Sequence, residues 1–365
     1  MRVWVLLSFA VIVLASCAAR PDIVGIDNPE VPVLSVPEAT QHRVFIATTR
    51  RDTEVVGALF SELRADRLGL ASVDVSIPPT HEVGALESPK SLPPDPRTEF
   101  AIINPTIFQT EASFVSAIDT ELRKRAPGSR DILFFIHGYN QTTSEAIMHV
   151  GQFVEDSGFE GIPVLFTWAS AGKASRYVYD LNSALVAREQ VIDAAAIINR
   201  SIAKEYHLFA HSMGGFLTME AIVYAAQTNR FNQTGRLSSI VLASPDIDLD
   251  LFRTQIASLD TDFDRFFILL SQDDFALRAS RRLAGGVPRV GAADADALAT
   301  LGVTAIDLSE IDDSRTSSHS KFTGSPEVVQ LIGLGLNAIP EYGSSYRRPL
   351  DQVLGDLPIR VVGGN

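Results

Sequence analysis

A run of nine residues, His207-Leu208-Phe209-Ala210-His211-Ser212-Met213-Gly214-Gly215, constrains the chain more than any other stretch. An apolar strand passes directly into a helical pattern through Ser212, with Ala210 and Gly214 two residues to either side. A serine held on so sharp a strand-to-helix turn needs small neighbours at those places, because larger side chains clash across the turn. The helix start also sets backbone N–H groups and the positive end of a dipole beside the hydroxyl. Taken alone, the same run admits a plainer reading, in which Ser212 merely caps the following helix.

The alternation recurs along the chain. Short apolar runs occur at Val44–Ala47, Ala71–Ile77, Ile132–Ile136, Val164–Trp168, His207–Ala210, Ile240–Ala243, Phe266–Leu270 and Val303–Leu308. Several are continuous rather than alternating, as in strands covered on both faces of a parallel sheet. Between the later runs lie helical patterns at about Ser144–Asp156, Ser183–Lys204, Gly214–Gln227, Leu249–Ser258, Phe275–Leu283 and Pro326–Leu334. The expectation is an α/β fold with a mostly parallel, doubly wound sheet flanked by helices. Residues 43–340 are read as one domain, which 365 residues at 46% hydrophobic content are ample to fill. Within it, 43–130 is less regular, broken by Pro78-Pro79 and Pro93-Pro94, and reads as early strands and entry loops. Residues 341–365 read as a loosely packed tail.

In a serine-centred site of this topology the acid and then the histidine follow the nucleophile along the chain. Of seven histidines only His319 follows Ser212, which makes it the candidate base. The acid is expected at a strand end, where Asp274 is preferred, Asp273 comes second and Asp246 third. Helix capping is the alternative role for those not used. Phe134-Phe135-Ile136-His137-Gly138-Tyr139-Asn140 ends another strand in a glycine turn. The N–H of Tyr139, with Asn140 as its alternate, and the N–H of Met213 are the candidate oxyanion donors; losing one such donor costs about 3 kcal/mol in the barrier. This set implies acyl transfer, with no cofactor and no metal, since the histidines show no ligand spacing. A carboxylic ester is the expected substrate, small or lipidic; amides, peptides and thioesters use the same triad. A catalytically idle binding protein is the reading from another class. The net charge of −13 argues against a nucleic-acid partner, because no basic surplus exists to neutralise phosphates.

Together these residues resemble a bacterial family of α/β-hydrolases described as esterase- or lipase-like proteins of unknown function. The resemblance runs over about residues 43–335. It rests on Val44-Phe45-Ile46-Ala47-Thr48-Thr49-Arg50, Val75-Ser76-Ile77-Pro78, Phe135–Asn140, Phe166-Thr167-Trp168-Ala169-Ser170, Asp180, the serine turn, Ala243–Asp248, Ser271–Leu277 and His319-Ser320. It implies the α/β-hydrolase fold and places the acid on Asp274, while Asp246 and Asp248 also match and keep an open role. Ala169 stands where the resemblance leads one to expect proline.

The N-terminus has a separate character. An apolar stretch from Val3 to Leu14 follows Arg2 and ends in Leu14-Ala15-Ser16-Cys17, similar to the bacterial lipobox. Cys17 is the only cysteine, so no intramolecular disulfide can form, and it is the expected lipidation site. Residues 1–16 then form a lipoprotein signal peptide and 17–42, with four prolines, a stiff tether. By resemblance to bacterial lipoproteins, Ala18 favours the outer membrane facing the periplasm; a soluble periplasmic protein is the alternative.

Overall fold

The computed structural model describes residues 25–55, 57–260, 263–311, 318–337 and 359–363. The leader, Cys17 and the first part of the expected tether lie outside the described residues, as do 312–317 and 338–358. Among the described residues no helix is long and apolar enough to cross a membrane.

Ten strands form one sheet: β1 (Thr40–Asp52), β2 (Phe60–Ile77), β3 (Ala101–Ile107), β4 (Ile132–Ile136), β5 (Ile162–Thr167), β6 (Tyr206–His211), β7 (Leu237–Ala243), β8 (Phe266–Leu270), β9 (Thr304–Asp307) and β10 (Arg360–Val362). Their order is β10-β9-β8-β7-β6-β4-β5-β1-β2-β3. From β1 across to β9 every pairing is parallel, and only β2, β3 and β10 run antiparallel to their neighbours at the edges. The expected mostly parallel, doubly wound sheet is therefore present. β4 and β8 match the apolar runs to the residue, and both are wholly buried.

Nine helices complete the described fold: α1 (Glu111–Arg123), α2 (Thr143–Ser157), α3 (Tyr177–Ile198), α4 (Met213–Gln227), α5 (Leu249–Ala257), α6 (Phe275–Leu283), α7 (Ala295–Ala299), α8 (Lys321–Gly324) and α9 (Pro326–Leu336). Alternate strand residues feed two cores. Phe45, Phe134 and Leu208 pack with α1, α3, α4 and α5 on one face. Phe135, Phe209 and Val241 pack with α2, α8 and α9 on the other. β6 is central, with β4 and not β5 beside it, so its C-terminal end lies where the strand order switches, the place at which ligands of such sheets bind.

Four segments depart from the expectations. The described part of the expected tether packs on the domain, since Val33 and Val36 are buried, Gly25 N–H donates to Ile102 O, and β1 already begins at Thr40. The irregular early segment contains helix α1, capped by the Thr110 side chain and buried through Phe114, Val115, Ile118 and Leu122. It also contains β3, which extends the antiparallel edge. At the other end, Arg360–Val362 pairs with β9, so this part of the expected loose tail is an edge strand.

Candidate active site

Ser212 lies between β6 and α4 at φ 54° and ψ −120°, left-handed backbone that a residue with a Cβ adopts at a cost of about 1–3 kcal/mol. The turn is held from several sides. Its N–H donates to Ala243 O (2.9 Å), and its carbonyl accepts from the N–H groups of Gly215 (2.9 Å) and Asp246 (3.1 Å). Gly214 is required by close approach, since a Cβ there would lie 2.4 Å from His137 O. The reciprocal constraint acts at Gly138, where a Cβ would meet Ser212 Cβ at 3.2 Å. The two turns singled out in the sequence therefore press against each other, and glycine at both lets them.

His319 comes from the loop after β9. Its Nδ1 lies 2.7 Å from Oδ2 of the buried Asp274, while Asp274 Oδ1 accepts from Leu277 N–H (2.9 Å) and so caps α6. The His319 ring rests 4.8 Å from that of His211, and its carbonyl accepts from His211 Nε2 (3.3 Å). Burial, with the neighbouring His319, holds the His211 imidazolium well below its ordinary pKa, so His211 packs and donates as a neutral ring. Among the described residues no hydrogen bond joins the Ser212 hydroxyl to His319; such bonds commonly tighten only when substrate is in place.

Asp273 and Asp246 have other partners. Asp273 accepts from the hydroxyls of Ser271 and Ser318 (2.7 Å to Ser318) and from Lys321 Nζ (2.9 Å). Burial pushes its carboxyl up, but these donors outweigh burial and hold it below its ordinary range. Asp246 binds Ser280 Oγ (2.6 Å) and the Tyr177 hydroxyl (3.0 Å), and its Oδ1 lies 3.2 Å from Arg289 Nε without a hydrogen bond. Burial raises the Tyr177 phenol to about 12, with the Asp246 charge adding to it. Asp248 caps α5 through Asp250 and Leu251 N–H.

Of the oxyanion candidates, the N–H groups of Tyr139 and Met213 meet no acceptor among the described residues. The N–H of Asn140 is taken by Asp180 Oδ2 (3.2 Å), which removes it from that role. The Tyr139 turn is set from behind. His137 stacks on Trp168 at 5.2 Å, donates from Nδ1 to Gly138 O (2.7 Å) and accepts the Trp168 N–H on Nε2 (3.2 Å). Burial, then the charge of Arg50, lowers His137 to about 3, so its ring is neutral.

Sequence reasoning did not assign roles to the residues that brace this turn. Buried Arg50 donates to Thr167 Oγ1 (2.9 Å), Ser170 O (2.9 Å) and Gln141 O (2.8 Å). Buried Asp180 accepts from Ser170 Oγ (2.6 Å) and Ala171 N–H (2.8 Å), though burial still raises its carboxyl above the ordinary value. Arg50, Thr167, Ser170 and Asp180 all fall in stretches that carried the family resemblance, which was the signal available. In the Ala- and Gly-rich segment 284–299, Gly291 donates to Pro245 O and accepts from Ser271 N–H, tying together the loops that follow β7 and β8. Among the described residues no group of three or more His, Cys, Asp or Glu side chains is arranged to hold a metal ion.

The alpha/beta hydrolases of unknown function (DUF900) match residues 110–334, more than half of the chain. Similar solved structures include the phospholipase PlaB of Legionella pneumophila in complex with thio-NAD, 17% identical. That match covers 45% of this chain and 44% of that one, with a TM-score of 0.30. The RedJ thioesterase of the prodiginine biosynthetic pathway in Streptomyces coelicolor is 19% identical over 37% of this chain and 52% of that one, with a TM-score of 0.23. The chain thus spans about half the length of these two structures. No curated protein matches it in sequence. With its mostly parallel sheet and a family match over most of that sheet, the chain belongs to the alpha/beta hydrolases of unknown function (DUF900).

Proposed function

We propose that the protein is a serine hydrolase that cleaves carboxylic esters through an acyl-enzyme, with Ser212 as nucleophile, His319 as base and Asp274 as acid. The observation that carries the reading is the 2.7 Å pairing of His319 Nδ1 with buried Asp274, on a ring packed against His211, the residue before a serine on a left-handed turn. With Nδ1–H donated to the carboxylate, the other ring nitrogen is the one free to take a proton. His319 Nε2 accepts the Ser212 proton as Oγ bonds to the ester carbonyl carbon. The N–H groups of Met213 and Tyr139 bind the oxyanion, aided by the α4 dipole. His319 then protonates the leaving alkoxide, and water, deprotonated by the same ring, releases the carboxylic acid and restores Ser212.

Hydrolysis of p-nitrophenyl acetate by wild type and Ser212→Ala tests this. Turnover is expected to fall at least about 10³-fold in the variant; equal turnover removes Ser212 from the mechanism. Labelling by a fluorophosphonate separates an enzyme from an idle binding protein, because only an activated serine reacts. The similarity of Leu14-Ala15-Ser16-Cys17 to the bacterial lipobox is what supports a lipid anchor at Cys17 and residence in the bacterial envelope. Metabolic fatty-acid labelling that persists in Cys17→Ser would defeat that part of the proposal.

A further inference from the structure

Two neighbouring aspartates follow β8 and divide the His319 loop between them. Asp274 holds the imidazole, whereas Asp273 holds the backbone that carries it. Its carboxylate takes Ser318 Oγ, one residue before His319, and Lys321 Nζ, two residues after (2.7 Å and 2.9 Å). Ser318 has a φ of 65°, a left-handed conformation costing a non-glycine residue about 1–2 kcal/mol. That hydrogen bond helps hold it there.

Lys321 is 1% exposed, an unusual place for an ammonium group. Taking the charge out of water costs several kcal/mol unless every donor is met. Here Nζ also donates to Leu308 O (3.0 Å) and Ser309 O (3.3 Å) in the turn after β9. One cation thus joins the segment after β8, the turn after β9 and the start of α8. Stability alone does not call for it, since an apolar side chain of similar length commonly serves a buried position as well or better. Nor is it needed to bury Asp273, whose side chain is 48% exposed. What the cation adds is direction, because its N–H groups point at three fixed acceptors.

We infer that Lys321, through Asp273, is a positioning residue that holds the His319 ring in line between Asp274 and Ser212. This rests on the proposed triad. A displacement of about 1 Å in a reacting group costs on the order of 10²-fold in rate, so the pairing acts on kcat rather than on binding.

The test uses Lys321→Met and, separately, Asp273→Asn, which alters a half-exposed side chain and carries the test if the lysine variant does not fold. Hydrolysis of p-nitrophenyl acetate is measured per folded molecule. In parallel, the low-field proton resonance of His319 Nδ1–H is followed, identified by its loss in His319→Gln. The expected result is a kcat about 10–100-fold lower, KM within about twofold, and a resonance broadened by faster exchange with water. A lower melting temperature with wild-type kcat and an unchanged resonance would overturn the inference. If wild type proves inactive on esters, the resonance alone decides. Its loss in both variants upholds the clamp while the proposed activity falls, and its persistence overturns the clamp.

Discussion

Asp246 and Asp274 invite comparison because each follows an inner strand of the sheet, each is buried, and each is a candidate for the acid. They differ in what surrounds the carboxylate. At the end of β7, Asp246 is enclosed by Ser280, Tyr177 and the guanidinium of Arg289, and its own N–H is bonded to Ser212 O. At the end of β8, Asp274 meets one backbone N–H and one imidazole nitrogen. A carboxylate closed in by a cation and two hydroxyls ties together the elements that carry them. One whose remaining oxygen faces a histidine can orient that ring and stabilise the imidazolium when it forms. Burial does not distinguish the two; the identity of the partner does.

The largest expected effect breaks or upholds this contrast directly. Asp274→Asn should lower kcat on p-nitrophenyl acetate by about 10⁴-fold, because the amide favours the wrong imidazole tautomer. Asp246→Asn should instead act on stability, leaving Arg289 buried beside a neutral group. We expect a loss of about 3 kcal/mol in urea unfolding, with kcat per folded molecule lowered less than tenfold. If the two variants exchange these behaviours, the acid is Asp246.

The smallest effect comes from a third carboxylate cluster, in which Asp156 is buried and Glu87 partly exposed, and it sharpens the contrast as a control. His81 bridges Glu87 Oε2 and Asp156 Oδ1, each at 2.7 Å. Burial lowers its pKa, but the two carboxylates outweigh burial and raise it to about 9. Because the folded value lies above the ordinary 6.5, the stabilisation is complete below pH 6.5 and is lost as pH rises through 9. Melting temperature should therefore fall between about pH 6.5 and pH 9 by an amount that His81→Gln removes. A pH dependence unchanged in His81→Gln would assign the loss to other groups.

The serine turn was legible in the sequence because its causes are local: the apolar strand, the small residues at 210 and 214 and the helix all lie within a few positions. β4 and β8 were legible to the residue because strands buried on both faces read as unbroken apolar runs. His319 stood out through chain order alone. Helix α1 was not legible as such although Thr110 and the spacing of Phe114, Ile118 and Leu122 mark a capped, one-sided helix; the Pro-rich stretch before it breaks the strand–helix alternation that marks the later helices. β10 pairs across a long separation with an edge strand, and three residues carry no pattern of their own. The Asp273–Lys321 pair joins positions 48 apart, so nothing local announces it. Likewise, that Asn140 gives its N–H to Asp180 follows from packing over 40 residues and not from the turn itself.

Of the chain's two tryptophans, Trp4 belongs to the apolar leader and Trp168 stacks on His137, with its indole N–H on His137 O (2.9 Å). In protein beginning at residue 25, all indole emission would therefore arise directly behind the Tyr139 turn. A spectral change on reaction with a fluorophosphonate would report the movement of that turn in real time, with no label attached.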